Sequence, residues 1–362
     1  MHSSRRRFLR TALLIGAAGR ASAAEVPVAY PEVLAGRPLQ FPRDFGSHPD
    51  FRTEWWYITG WVEDDRGAPL GVQITFFRHR PGIGEESASR FSPRQLVFAH
   101  AALADPAFGR LRHEQRIARA GFGLAEAAEA TTDVRIADWT LQRTPGSYVA
   151  TVRGSAFSFS LSFAPTQPLL VQGEGGFSRK GPRPQHASYY YSEPHLAVSG
   201  DVTIGQRRFA VRGTAWCDHE WSSEYLAPDA AGWDWTGLNL DDGGAMMAFV
   251  IRRTGGGTLW AGGSVRAAEG TVRRYGASDV AFEPRTTWRS PRTNATYPVA
   301  TTVAIGDTRF ELEPLMHDQE LDARLGTGVV YWEGAVRAFA HGSPAGRGYL
   351  ELTGYAGKRG QV

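Results

Sequence analysis

Cysteine is almost missing from this 362-residue chain: Cys217 stands alone, so neither an intramolecular disulfide nor a cysteine-rich metal site is available. Stability must come from packing. Long apolar runs are also missing. The stretch from Thr11 to Ala18 is far shorter than the roughly 20 residues a membrane-spanning helix needs, so no transmembrane segment is expected in the mature chain. Neither sign of charge is in large excess. The formal +3 includes Arg5, Arg6, Arg7, Arg10 and Arg20, and without these five the chain stands near −2, which argues against a nucleic-acid partner. No G-x-S-x-G elbow and no H-E-x-x-H helix occur, and Gly255-Gly256-Gly257 sits between strand-like segments, so the serine-hydrolase, zincin and phosphate-cradle signatures are all lacking. Helical periodicity is scarce as well. Only Arg112 to Ala130 has helix-favouring composition, broken by Gly121 and Gly123, so at most one or two short helices are expected.

The chain instead has short runs rich in Val, Ile, Thr, Tyr, Phe and Trp, closed by Gly, Pro or Asp clusters. Trp55 to Val62, Gly71 to Arg78, Gln95 to Leu103, Tyr148 to Arg153 and Phe157 to Phe163 read as antiparallel strands. In the first, Trp55, Tyr57, Thr59 and Trp61 share one face, while Trp56, Ile58, Gly60 and Val62 share the other. Both faces are bulky. One should therefore look into a core and the other into a cavity or another domain. Trp56, Gly60, Asp64 and Asp65 recur as Trp233, Gly237, Asp241 and Asp242, displaced by 177 residues, which suggests a duplication. A second similarity, Val202 to Phe209 against Val303 to Phe310, has a displacement of 101, so it marks either a large insertion or a common hairpin. Two β-barrel-like domains, residues 24–225 and 226–362, joined near Ser222 to Gly232, are the expected organisation.

The front of the chain carries an address. Ser4-Arg5-Arg6-Arg7-Phe8-Leu9-Arg10, a short apolar stretch and Ala21-Ser22-Ala23 resemble a twin-arginine export signal over residues 1–23 with an A-x-A-like cleavage site. A periplasmic or secreted location is expected, after folding in the cytoplasm, which suits a slow-folding, non-local β topology.

The densest chemical segment is Trp216-Cys217-Asp218-His219-Glu220-Trp221, with Trp233-Asp234-Trp235 soon after. In a strand, Cys217, His219 and Trp221 share one face and Trp216, Asp218 and Glu220 the other. Carboxylic acids beside indoles tend to have raised pKa values, which suits a proton donor working near neutrality, and indole faces stabilise a developing cation. Asp218, Glu220 and Asp234 are thus candidate acids, with His219 to orient or deprotonate a water and Trp221 and Trp235 to stabilise the cation. The alternative is a buried hydrogen-bond cluster where the two domains meet. Glu54, followed by Trp55, Trp56 and Tyr57, is the second proton-handling candidate. Together with Tyr190, Trp233 and Trp235, these four are candidate ligand-binding residues. No metal or other cofactor is expected, and Cys217 reads as a buried, inert thiol.

His48 to Tyr57, Ala187 to Ser192, Ala215 to Trp221, Gly232 to Trp235, Leu240 to Gly243, Tyr331 to Val336 and Gly348 to Tyr355 occur in an order that resembles the AttH-like family, related to carotenoid 1,2-hydratase. The match runs from about residue 40 to 357. The resemblance implies two tandem lipocalin-like (calycin) antiparallel β-barrels. It also implies a hydrophobic ligand, isoprenoid or lipid, and possible partnership with an ABC-type permease. The hydratase branch adds water to an isolated double bond without a redox cofactor, using a His-x-Trp pair with nearby Tyr and Asp. His219-Glu220-Trp221 fits the first pair, whereas neither Asp234 nor Asp241 has a tyrosine two residues before it. A cofactor-independent hydratase or a non-catalytic carrier of a hydrophobic molecule is the resulting expectation.

Overall fold

Strands account for nearly all the regular structure in the computed structural model, which describes residues 28–357; a single 3-10 turn, Arg43–Phe45, is the exception among them. The twin-arginine segment lies outside the described residues. The first sheet opens with β1 (Thr53–Asp64), β2 (Pro69–His79), β3 (Leu96–Ala104) and β4 (Leu111–Arg119). Shorter strands follow: β5 (Ala125–Ala127), β6 (Asp133–Ile136), β7 (Trp139–Thr144), β8 (Ser147–Arg153) and β9 (Phe157–Ala164). Two brief strands, β10 (Leu170–Val171) and β11 (Phe177–Arg179), precede the long pair β12 (Ala187–Ile204) and β13 (Arg207–Ser222). The order is β4-β3-β2-β1-β13-β12-β9-β8-β7-β6-β5, antiparallel throughout. Because β4 returns against β6 and Gly121 bridges Ala125, the sheet nearly closes on itself.

The second sheet contains β14 (Ala230–Leu240), β15 (Ala245–Arg253), β16 (Thr258–Arg266), β17 (Val272–Tyr275) and β18 (Val280–Arg289). It continues with β19 (Thr296–Ile305), β20 (Thr308–Pro314), β21 (Glu320–Ala323), β22 (Val329–Ala340) and β23 (Ser343–Thr353). Its order, β17-β16-β15-β14-β23-β22-β20-β19-β18, repeats the first: the opening strand lies between its own hairpin partner and the closing strand. The chain is therefore all-β, two tandem lipocalin-like barrels.

The duplication lies in topology and not in the residues that first suggested it. Trp56 points into the first barrel's core, whereas Trp233 and Gly237 point out of the second barrel toward the first. A displacement of 177 thus pairs opposite faces of the equivalent strands β1 and β14. The 101-residue similarity matches the β12–β13 hairpin with β19–β20, although the equivalent of β12–β13 is β22–β23, so it is a common hairpin. The helix-favouring segment Arg112 to Ala130 forms most of β4, a turn and β5 instead: pairing of β4 along β3 overrides local propensity, and Gly121 and Gly123, at φ 96° and 73°, turn the chain after β4.

Alternation in β1 determines how the barrels are filled. Trp56, Ile58 and Val62 pack with Phe76, Trp139 and Phe159 inside the first barrel, each large apolar side chain contributing roughly 1.5–3 kcal/mol on burial. Tyr297, Trp332, Leu350 and Leu352 fill the second. The opposite face of β1, with Tyr57 and Trp61, packs on Trp216, Trp235, Met247 and Tyr349 between the barrels. Close approach there requires glycine: a Cβ on Gly71 would stand 2.8 Å from the Ala335 Cβ and 2.5 Å from the Tyr349 hydroxyl.

Candidate active site

Since both barrel interiors are packed, open space falls between the barrels, in a cavity of about 210 Å³. The first barrel contributes its outer face: Trp55 and Tyr57 from β1, Gln73 and Phe77 from β2, His100 from β3, and Asp218 and Glu220 from β13. The second contributes Trp233 and Trp235 from β14, Phe249 from β15, Tyr331 and Glu333 from β22, and Glu351 from β23. Tyr225 and Leu226, in the connection between β13 and β14, complete the wall. Trp55, Leu226 and Trp233 are half-buried and form part of its rim.

Four carboxyl groups enter this aromatic space. Glu333 and Glu351 face each other across β22 and β23 and turn to the same side. The Tyr57 hydroxyl donates to Glu333 Oε1 at 2.6 Å, while Glu333 Oε2 has no partner. Burial, then the neighbouring Glu351, hold the Glu333 carboxyl well above the usual range. Glu351 accepts from Trp233 Nε1 at 3.1 Å and from Thr353 Oγ1 at 3.0 Å. Its burial pushes it up to about 7. Asp218 accepts from Trp216 Nε1 at 2.7 Å, Ser192 Oγ at 2.6 Å and Tyr190 Oη at 2.7 Å. Burial outweighs these donors and also raises it to about 7. Glu220 differs in having a cation, Lys180 Nζ at 3.0 Å, together with the Ser188 hydroxyl. Lys180 in turn lies over the rings of Tyr190 and Phe249, 4.7 and 4.3 Å from their centroids.

The other face of the same two strands carries a different cluster. Glu54 is fully buried between Arg78 Nε at 2.8 Å, His48 Nδ1 at 2.7 Å and His219 Nε2 at 2.9 Å. Burial alone would raise its pKa, but the charges of His48 and Arg78 bring it well below the usual range. His48 also reaches Asp44 Oδ1 at 3.1 Å and stacks on Trp221 at 3.7 Å. Burial disfavours its charge, yet Glu54 and Asp44 raise its pKa. Burial holds His219 below the usual histidine range, against the pull of Glu54. The neutral ring donates from Nε2 to Glu54 and accepts at Nδ1 from the Tyr191 hydroxyl at 3.1 Å, which leaves neither nitrogen open. Donor atoms of His48, Glu54 and His219 lie within 4.8 Å of one another, a spacing a metal ion could use, but each is engaged in these hydrogen bonds. Phe45 and Phe51, from the segment before β1, pack against Trp221 and Tyr191 and seal this end of the barrel.

The structure thus separates the expected site residues. Asp218, Glu220, Trp55, Tyr57, Trp233 and Trp235 line the cavity, and Tyr190 touches it through Asp218 and Trp235 Nε1. His219, Trp221, Glu54 and Trp56 turn into the sealed end of the first barrel, because strand alternation sends them opposite to Asp218 and Tyr57. Asp234 turns away too, held by Arg252 Nε at 3.0 Å and Tyr355 Oη at 3.0 Å, with burial raising it to about 6. Cys217 is buried in the core, and burial raises its thiol well above the usual value. Sequence reasoning missed Glu333, Glu351, Tyr331, His100 and Gln73 as site residues. A signal existed: Tyr331-x-Glu333 and Tyr349-x-Glu351 repeat one spacing, placing an acid on the aromatic face of two adjacent strands.

The AttH-like family profile matches residues 32–355. A crystal structure of a protein from Nitrosomonas europaea described as AttH is 53% identical, with a TM-score of 0.85, and the match covers 90% of this chain and 99% of that one. Kievitone hydratase from Nectria haematococca shares the fold at 14% identity and a TM-score of 0.69, over 91% of this chain and 97% of its own. CghA does so at 14% identity and 0.56, over 93% and 97%. No curated protein sequence matches the chain.

Proposed function

The chain belongs to the AttH-like family, and on that premise we propose that its inter-barrel cavity adds water to a double bond of a hydrophobic ligand by acid–base chemistry, without a cofactor. One observation carries this reading: three carboxyl groups that hold protons near neutrality, Asp218, Glu351 and Glu333, share one aromatic cavity. A protonated carboxyl among them gives its proton to one alkene carbon, and the π electrons form the new C–H bond. The indoles of Trp55, Trp233 and Trp235 line the space where the resulting cation develops. Water closes the C–O bond and passes its spare proton to a second, ionised carboxyl, so one water is added and the proton balance is kept. A protein of this fold bears the name kievitone hydratase, which supports the reaction class. His219 has a positioning role on Glu54 in this reading, not a place at the reacting atoms.

Native mass spectrometry with organic extraction tests it. Ligand recovered from the wild type should carry the mass of one added water, with heavy oxygen incorporated from labelled solvent. Glu333→Gln, which cannot supply a proton, should retain the unhydrated form. The same unhydrated molecule in both proteins would leave a carrier and reject hydration.

A further inference from the structure

Three buried side-chain atoms in the cavity wall have no hydrogen-bond partner: Gln73 Oε1, His100 Nε2 and Glu333 Oε2. Their residues are 1%, 2% and 1% exposed, so water outside the cavity does not serve them. Register brings the first two together. Tyr57, Thr75 and His100 stand abreast on β1, β2 and β3, and Gln73 lies two residues along β2 on the same side. The Tyr331 hydroxyl ties the group, 2.8 Å from His100 Nδ1 and 3.3 Å from Gln73 Nε2. Gln73 Nε2 also donates to Thr75 Oγ1 at 3.0 Å.

The proton inventory determines what the group lacks. Burial lowers the His100 pKa to about 3, so its ring is neutral and carries one proton. In the arrangement where Gln73 donates to Tyr331 and the tyrosine gives its proton to His100 Nδ1, the imidazole proton sits on Nε2. The Gln73–Tyr331–His100 group then presents one open donor, His100 Nε2–H, and one open acceptor, Gln73 Oε1. Turning the amide end for end reverses every bond in the chain and leaves the same demand, again one donor and one acceptor. A carbonyl or ether oxygen satisfies only the donor. A hydroxyl satisfies both.

We infer that Gln73 and His100, braced by Tyr331, form a subsite for a hydroxyl group of the ligand, so the cavity takes an oxygenated hydrophobe, an alcohol or phenol, in preference to a pure hydrocarbon. This rests on reading the inter-barrel cavity as the ligand site, but it does not depend on turnover there.

Three probes of one skeleton test it: geraniol, its methyl ether and the hydrocarbon 2,6-dimethylocta-2,6-diene, titrated into the full-length mature protein by calorimetry and tryptophan quenching. Geraniol should bind about tenfold more tightly than either other probe, the scale of one or two net hydrogen bonds. Gln73→Met should remove that preference while hydrocarbon affinity is kept, and His100→Gln should retain part of it. Equal affinity for all three, or binding of none, overturns the subsite, and both outcomes are read on the wild type even if a variant fails to fold. A geraniol preference without any hydration of extracted ligand would keep the subsite and reject the proposed reaction.

Discussion

Glu54 and Asp218 belong to one strand pair, β1 and β13, and both are buried, yet they sit on opposite faces and their pKa values shift in opposite directions. Glu54 has Arg78 against it and His48, whose own pKa is raised, and these overcome the cost of burying its charge. Asp218 has two hydroxyls and an indole, which hydrogen-bond without neutralising charge, so burial wins. Burial is common to both faces, so the partners separate a structural cluster from a reactive one. Their carboxyl oxygens also differ: both of Glu54 are taken, whereas Glu333 Oε2 at the cavity has no partner.

The strongest way to break this comparison is to remove one charge from the structural side. Arg78→Met leaves Glu54 short of a cation and also releases the carbonyls of His48 and Phe51, each held at 2.9 Å. A loss of about 3–5 kcal/mol in urea unfolding is expected, the range for a broken buried pair. Glu333→Gln on the cavity side should cost less than about 1 kcal/mol, because no ion pair is lost. If the two variants prove equally stable, the division into structural and reactive faces fails.

Much of the fold was legible in the residues because alternation reports it: the two bulky faces of Trp55 to Val62 imply a core on one side and a neighbour on the other, and the structure has both. Alternation also separates His219 and Trp221 from Asp218 and Glu220. It does not choose which set faces the cavity, and the expectation took site residues from both. That choice is made by contacts remote in sequence, such as the seal that Phe45 and Phe51 place over Trp221. Glu333 and Glu351 escaped notice for a related reason. Neither has an imidazole or a second acid beside it in the chain, and they become a pair only through the β22–β23 register.

A smaller effect sharpens the comparison through pH. Asp218 is raised from 3.8 to about 7, so between these values the folded chain holds a proton that the unfolded chain has released. Its stabilisation is complete below about pH 4 and is lost as pH rises through about 7. Glu54 is depressed, so its contribution is complete above its ordinary 4.5 and is lost as pH falls through the folded value. The two faces thus tilt the stability curve in opposite directions. Melting temperatures of Asp218→Asn and wild type should diverge between pH 4 and 7, the variant losing less as pH rises, while the acid limb stays unchanged. An unchanged slope in the variant would mean that Asp218 is already ionised in this range.

The smallest expected effect lies within the cavity, where Glu333 and Glu351 differ in what raises them. Burial is the largest cause for both, and the partner carboxyl is the second cause for Glu333 but not a cause for Glu351. Glu351→Gln removes that neighbouring charge and keeps the shape, so the Glu333 carboxyl should ionise at a lower pH while staying above the usual carboxylate range. The infrared carbonyl band of the protonated acid, followed against pH with Glu333→Gln to assign it, reads this directly. A fall in its midpoint would make the pair a coupled acid and base, in which ionisation of one holds the proton on the other. An unmoved midpoint would mean that burial alone keeps Glu333 protonated. The base that takes the water's proton would then be Asp218 or Glu220, across the cavity on the first barrel.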